Sequence, residues 1–128
     1  MDERIAPPLC DCADGPSACP RPFCPYYHYT IELIGRRWTG SILRAMLRGV
    51  SRFGDIRATI PDISDRMLSE RLKELEAEGI VVRHVIPDTP VRIEYQLTTK
   101  GHALETIVTA ALAWADRWLT GDTPTPPR

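Results

Sequence analysis

The sequence predicts a mainly α-helical domain of the α+β class, and three observations carry that prediction. One is a helix between Ser64 and Glu78 whose start, apolar face and stop signal agree with one another. The second is a pair of short β-rich runs, Ile80–Ile86 and Val91–Leu97, around the turn Pro87-Asp88-Thr89-Pro90. The third is a helical segment, Thr99–Leu119, whose apolar band is too wide for a single packing seam.

Residues 1–25 read as a Cys/Pro-rich arm. Six of the twelve prolines lie between Pro7 and Pro25, interleaved with all four cysteines. Neither a regular helix nor a central strand tolerates that density, because each ring fixes φ and removes an amide donor. The compact domain is expected over residues 26–119, and the polar, Pro-rich stretch 120–128 reads as a flexible tail.

Within the domain, a first helix is expected over Tyr27–Ile34, ending at Gly35, with Tyr29, Leu33 and Ile34 inward. After Trp38, either Thr39 or Gly40 is expected to cap a second helix that buries Ile42, Leu43, Met46 and Leu47. Gly49 closes it as a left-handed C-cap. A short third helix, Arg52–Thr59, presents Phe53 and Ile56 to the core, with Ile60 after it. Pro61 cannot continue that helix, so Ile60–Ile63 is a turn.

The fourth helix carries the clearest punctuation. Ser64 is a good N-cap, and Ile63 before it can staple onto Leu68. Leu68, Leu72 and Leu75 form an i, i+4, i+7 stripe. Gly79 ends the helix and places Ile80 where a Schellman motif makes its apolar contact with Leu75. Two strands follow, and a ribbon tip tolerates the missing proline amides. The last helix, Thr99–Leu119, shows Leu104, Ile107, Val108, Ala111, Leu112, Trp114, Ala115, Trp118 and Leu119. So broad a band asks to be covered from more than one side.

In this order the third and fourth helices have the spacing of a helix-turn-helix, and the ribbon after them is a wing. The architecture expected is a winged helix-turn-helix with a two-stranded β wing and a long C-terminal dimerisation helix. With the leucines inward, the outer face of the fourth helix carries Arg66, Ser69, Glu70 and Lys73, with Ser64 at the cap and Met67 beside it. Arg and Lys suit guanine edges and phosphates, Ser suits either, and the capped N-terminus offers amides to a phosphate. Arg83, His84 and Arg92 on the ribbon are candidates for neighbouring phosphates or the minor groove. A polar outer face is also what any solvated helix shows, with Glu70 in reach of Lys73.

Charge permits nucleic-acid binding without demanding it. The net charge is −1, but residues 1–25 carry two Arg against four acids, while residues 36–100 carry twelve Lys/Arg against nine Asp/Glu. No apolar run approaches the roughly 20 residues that span a bilayer, and the N-terminal MDERIAPPLC lacks the basic and apolar regions of a secretory signal. A soluble cytoplasmic protein is expected, with no membrane partner.

Several runs in order carry a family resemblance: Cys24-Pro25; Leu33-Ile34-Gly35-x-x-Trp38; Arg52-Phe53-x-Asp55-Ile56-Arg57; Ile60-Pro61-x-Ile63-Ser64-x-x-Met67-Leu68-Ser69-x-Arg71-Leu72-x-x-Leu75; and Arg92-Ile93-Glu94-Tyr95-x-Leu97-Thr98. Together they resemble the HxlR-type winged helix-turn-helix regulators over about Cys24 to Trp118. The resemblance implies a homodimer that binds a palindromic double-stranded DNA operator, as repressor or activator, with repressor the expectation. It also implies a dimer interface made by the first and last helices. The apolar face of the last helix independently asks for such a partner through Leu104, Ile107, Val108, Ala111, Leu112, Trp114 and Trp118. Trp38, Tyr95, Trp114 and Trp118 read as packing residues, Tyr95 beneath the fourth helix.

The pattern Cys10-x-Cys12-x6-Cys19-x4-Cys24 departs from that family, whose recurring cysteine stands at the position of Cys24. In some relatives that thiol resembles a sensor of oxidants or electrophiles, and control by an oxidant or by a bound small-molecule effector is expected. A helix N-terminus favours its thiolate, and Pro25 fits a helix entrance. Oxidation there would bridge protomers or displace the first helix. The same four residues, Cys10, Cys12, Cys19 and Cys24, are also candidate ligands for zinc or an iron–sulfur cluster, with His28 as a substitute. Paired C-x2-C knuckles are absent, which weakens the metal reading. Inert cysteines in a loose tail are a third reading. No cofactor is required by the fold.

His28, His84 and His102 have no Ser or Asp partners at triad spacing, there is no phosphate-binding Gly loop, and no enzyme is expected. Two alternatives stand beside the regulator. One is a winged-helix protein-interaction module with a structural zinc arm, to which the acids Asp62, Asp65, Glu70 and Glu74 point. The other is a thiol-dependent redox enzyme, which lacks a C-x-x-C pair.

Overall fold

The computed structural model describes residues 15–120. Cys10, Cys12, most of the arm and the tail 121–128 lie outside the described residues. After a short 3-10 turn at Pro16–Ala18, the order is α1 (Pro25–Ile34), α2 (Thr39–Leu47), α3 (Phe53–Thr59), α4 (Asp65–Ala77), β1 (Val81–Ile86), β2 (Arg92–Leu97), α5 (Thr99–His102) and α6 (Glu105–Trp118). This is the winged helix-turn-helix architecture that the sequence predicts.

One core holds it together. Ile42 and Leu43 from α2, Ile56 from α3, Leu68, Leu72 and Leu75 from α4, and Ile80 and Val81 at the start of the wing are all essentially inaccessible. Each fully buried aliphatic side chain contributes about 1.5–3 kcal/mol of transfer free energy. The three leucines of α4 therefore fix which face of that helix remains outside.

The punctuation of α4 forms as expected. Ser64 Oγ accepts from the Met67 amide at 3.0 Å. At the other end Ile80 N–H reaches Leu75 O at 2.9 Å and Gly79 N–H reaches Glu76 O at 3.0 Å. Those are the two bonds of a Schellman motif, and Gly79 has the positive φ of 75° that it requires. The α3–α4 turn bends through Asp62 at φ 68°, a left-handed conformation that Asp tolerates better than most residues.

β1 and β2 pair antiparallel with Arg83 opposite Tyr95 and His84 opposite Glu94. A further bridge joins Arg52 to Glu94, and the Tyr95 amide donates to Ser51 O at 2.8 Å. The wing is thereby anchored to the entrance of α3. Tyr95 is buried in the core cluster with the α4 leucines.

Several boundaries differ from the sequence expectation. α1 begins two residues earlier, at Pro25, whose fixed φ suits the first helical position. Neither Thr39 nor Gly40 caps α2; Trp38 does, in the left-handed region at φ 79°. The strands start at Val81 and Arg92, because Ile80 belongs to the Schellman closure.

The last helix is not continuous. α5 ends at His102, and α6 starts at Glu105 after a turn in which Leu104 N–H bonds to Gly101 O at 3.0 Å. A Cβ on Gly101 would meet Ile80 O at 2.2 Å. The first turn is thus pressed against the wing's base, and α6 sets off afresh from it.

Candidate DNA interface and cysteine site

Three of the acids on α4 are engaged by a cation, while the exposed Glu76 makes no ion pair among the described residues. Arg57 of α3 pairs with Asp65, and Arg66 pairs with Glu70 at 3.3 Å one turn on. Glu74 is held by Arg36 at 3.2 Å and by Arg71 at 3.1 Å. The partner of Glu70 is therefore Arg66 rather than Lys73. Lys73 is exposed and makes no ion pair among the described residues. The Arg66 side chain keeps 90% of its surface in solvent. Paired acids blunt the repulsion that a phosphate backbone would otherwise meet at this face.

Ser64, Arg66, Glu70 and Lys73 all lie on the exposed side, and Ser69 is half-buried at its edge. Met67 departs from the expectation, since it packs against the core cluster and turns inward. On the wing, strand alternation sends Arg83 and His84 to opposite faces, Arg83 sharing the face of Tyr95. A single DNA-facing surface cannot present both equally. Arg92 folds back on its own ribbon, with Nη2 at 3.2 Å from Asp88 and 3.6 Å from Glu94.

α4 is tied to the start of the domain by contacts with no local sequence signal. The Tyr29 hydroxyl of α1 donates to Glu78, the C-cap of α4. Arg71 Nε donates to Arg37 O at 2.9 Å, holding the loop in which Trp38 takes its left-handed backbone. Arg37 also lies 4.8 Å over the Trp38 ring. Lys100 from α5 donates to Glu78 O at 2.7 Å. The end of α4 is therefore a junction of α1, α4 and α5.

Cys24 is the N-cap residue of α1, a free thiol with 9% of its surface exposed. The backbone amide of Tyr27 above all, against the opposing effect of desolvation, draws its pKa below the ordinary thiol value. The Tyr26 amide, a hydrogen bond from the Cys19 side chain and the Arg21 cation act in the same direction. Of the four cysteines, Cys19 and Cys24 are thus brought together, while Cys10 and Cys12 lie outside the described residues. His28, the candidate substitute ligand, is exposed with its ring 5.3 Å from that of Phe23. Among the described residues no three Cys, His, Asp or Glu side chains converge as a metal site.

The expected dimerisation residues divide between two faces. Leu104 and Val108 are partly buried against the core. Ile107, Leu112, Trp114 and Trp118 are exposed, the two tryptophans at 59% and 52%. Between α1–α2 and α6 runs an apolar groove of 390 Å³ lined by Ile34, Leu43, Leu104, Val108 and Leu112, with Arg44 at its edge. Among the described residues no helix is long and apolar enough to cross a membrane.

A helix-turn-helix with its wing and an exposed second helix defines a DNA-binding transcription regulator. The chain belongs to the HxlR-like helix-turn-helix family, which matches residues 33–123. It is 49% identical over 96 residues to the HTH-type transcriptional regulator YvaP of Bacillus subtilis, covering 75% of this chain and 89% of that one. The HTH-type transcriptional regulator YodB of the same organism is 48% identical over 101 residues, 78% of this chain and 90% of YodB. The reduced form of YodB superposes with a TM-score of 0.68 at 46% identity, over 78% of this chain and 99% of that structure. YodB has also been solved diamide-treated and quinone-bound. The redox regulator HypR, in its oxidised form, gives a TM-score of 0.69 at 39% identity, over 78% of this chain and all of that one.

Proposed function

We propose that the protein is a homodimeric repressor that binds a palindromic operator through α4 and its wing, and that oxidants or electrophiles reaching Cys24 control it. The observation that carries the DNA reading is the outer face of α4. Asp65, Glu70 and Glu74 are held in ion pairs, while Arg66 and Lys73 stand in solvent. Ser64 holds its hydroxyl for the helix cap, so its contribution to a phosphate is through the first-turn amides.

The dimer reading rests on the exposed stripe Ile107, Trp114 and Trp118, at i, i+7 and i+11 on α6. Two large indoles and an aliphatic side chain on one helix face form the kind of patch that a partner covers. A two-fold dimer then presents its α4 helices to successive major grooves, and operator symmetry follows from protein symmetry.

Control through Cys24 is supported by its position. A thiolate stabilised at the N-cap of α1 lies on the helix that Tyr29 fastens to the end of α4. Oxidation there disturbs the seat of α1 and, through it, α4. The relatives supply context, since HypR is a redox regulator and YodB binds a quinone.

The test is selection of binding sites from random duplex DNA by the reduced full chain. Enrichment of a two-fold symmetric sequence with half-sites one or two helical turns apart is expected. Enrichment of nothing above background, or of an asymmetric single half-site, contradicts the reading.

A further inference from the structure

The Cys19 side chain is one of the groups that favour the Cys24 thiolate, and only Pro20, Arg21, Pro22 and Phe23 separate the two cysteines in the chain. Cys24 is nearly covered, whereas Cys19 is half-buried beside it. Two prolines restrict the intervening segment, so the loop between the thiols is short and samples few conformations. We propose that Cys19 and Cys24 are a dithiol switch inside one protomer, in which Cys19 resolves an oxidised Cys24 into an intrachain disulfide. The proposal rests on the redox reading above and names the group that completes it.

The oxidant is of the hydroperoxide class. The Cys24 thiolate attacks the terminal oxygen; the O–O bond breaks, and the alcohol (or water) leaves with a proton. Cys24 is then a sulfenic acid. Cys19, giving up its proton, attacks Cys24 Sγ; the S–O bond breaks, the S–S bond forms, and the departing hydroxide takes that proton to leave as water. Two thiols lose two electrons and two protons, and the hydroperoxide is reduced to one alcohol and one water.

Geometry favours this partner over a thiol of a second protomer. A thiol five residues away in the same chain reacts without the entropic cost of bringing two chains together, and a loop this short closes cheaply. Capture by Cys19 also spares Cys24 from over-oxidation to sulfinic acid. The bond would take Cys24 Sγ from the amides of Tyr26 and Tyr27, removing a stabilising interaction at the first turn of α1.

The experiment uses the full chain and its Cys10→Ser/Cys12→Ser variant, which excludes exchange with the arm thiols. Both are treated with hydrogen peroxide, quenched with N-ethylmaleimide and weighed under denaturing conditions. For the variant, the expected product is a monomer lighter by two hydrogens, carrying no maleimide. Chymotrypsin should release from it a disulfide-linked pair of peptides, one with Cys19 and one with Cys24; the same linkage is expected in the full chain. The Cys19→Ser chain should instead give Cys24 sulfinic acid or a disulfide-linked dimer. A linked dimer in the variant, or Cys24 sulfinic acid beside maleimide-labelled Cys19, would overturn the proposal. So would a bound metal that keeps both thiols from reacting. Operator binding is measured on the same samples. An intrachain disulfide without any change in operator affinity leaves the dithiol chemistry standing and sinks only its control of DNA binding.

Discussion

The Tyr29 hydroxyl donates a hydrogen bond to the Glu78 carboxylate, fastening the middle of α1 to the residue that closes α4. The helix that begins at Cys24 is therefore coupled directly to the helix proposed to read DNA. Tyr29→Phe removes the donor and keeps the ring. Hydrogen bonds to charged groups contribute about 1.5–3 kcal/mol, so urea unfolding should show a loss within that range. The variant should also show a smaller difference in operator affinity between its reduced and oxidised forms than the unmodified chain does. An unaltered difference would mean that the redox signal reaches α4 by another route.

Glu70 holds Arg66 along the outer face of α4 at 3.3 Å. An exposed pair of this kind contributes little to stability, about 0.3–0.5 kcal/mol. Glu70→Gln should therefore leave the melting temperature almost unchanged while releasing Arg66 and removing a negative charge near the phosphates. Tighter binding to both operator and random duplex is expected, with a salt dependence at least as steep. Fluorescence anisotropy across a salt series measures both. Weaker binding would make Glu70 itself a base reader, accepting from a cytosine amino group.

The Cys24 thiol is held below the ordinary value of 9.0, chiefly by the Tyr27 amide. For a group that ionises to an anion, a lowered folded pKa adds stability that is fully present above the unfolded pKa. That stability is lost as pH falls through the folded pKa. The rate of Cys24 alkylation by iodoacetamide should accordingly reach its midpoint below pH 9.0 in the folded chain. In Arg21→Ala and Cys19→Ser the midpoint should rise, because each substitution removes an interaction that favours the thiolate. A midpoint at or above the ordinary value would contradict the arrangement at the α1 N-terminus.

Trp114 and Trp118 stand exposed on α6 in the single chain. If a second copy covers them, Trp118→Glu buries an unpaired charge in the interface and should convert the dimer to monomers, as read by sedimentation. The isolated fold should survive, because neither indole belongs to the core cluster. Operator affinity should fall with it, since one α4 then binds alone. A Trp118→Glu chain that remains dimeric would move the interface off this stripe.

How much of this was legible in the sequence depended on how local the cause was. α4 could be read almost to the residue, because Ser64 with Leu68 at one end, and Leu75 with Gly79 and Ile80 at the other, each act within about two turns. The cap of α2 could not. Trp38 takes a left-handed backbone in a loop that Arg71 holds through Arg37 O, a contact across 34 residues. The break between α5 and α6 was hidden for the same reason: apolar periodicity runs through it, while the close approach of Gly101 to Ile80 O comes from packing. At the candidate site, the outward side of α4 followed from its leucine stripe. Which wing face carries Arg83 or His84 required the strand register, and the inward turn of Met67 required the core. The contact Tyr29–Glu78 carries no sequence pattern at all. It becomes visible only when α1 and the end of α4 are placed in space.

The central claim is that the outer face of α4 reads DNA, and one titration tests it most directly. The reduced chain and its Arg66→Ala/Lys73→Ala variant are compared by fluorescence anisotropy on the selected operator and on a scrambled duplex. Both side chains are exposed, so the variant should fold with stability within about 0.5 kcal/mol of the original. The account predicts nanomolar, salt-sensitive operator binding by the original. In the variant it predicts a loss of about 1–3 kcal/mol per side chain that contacts a base, and a shallower salt dependence. Undiminished operator affinity in the folded double variant would contradict it.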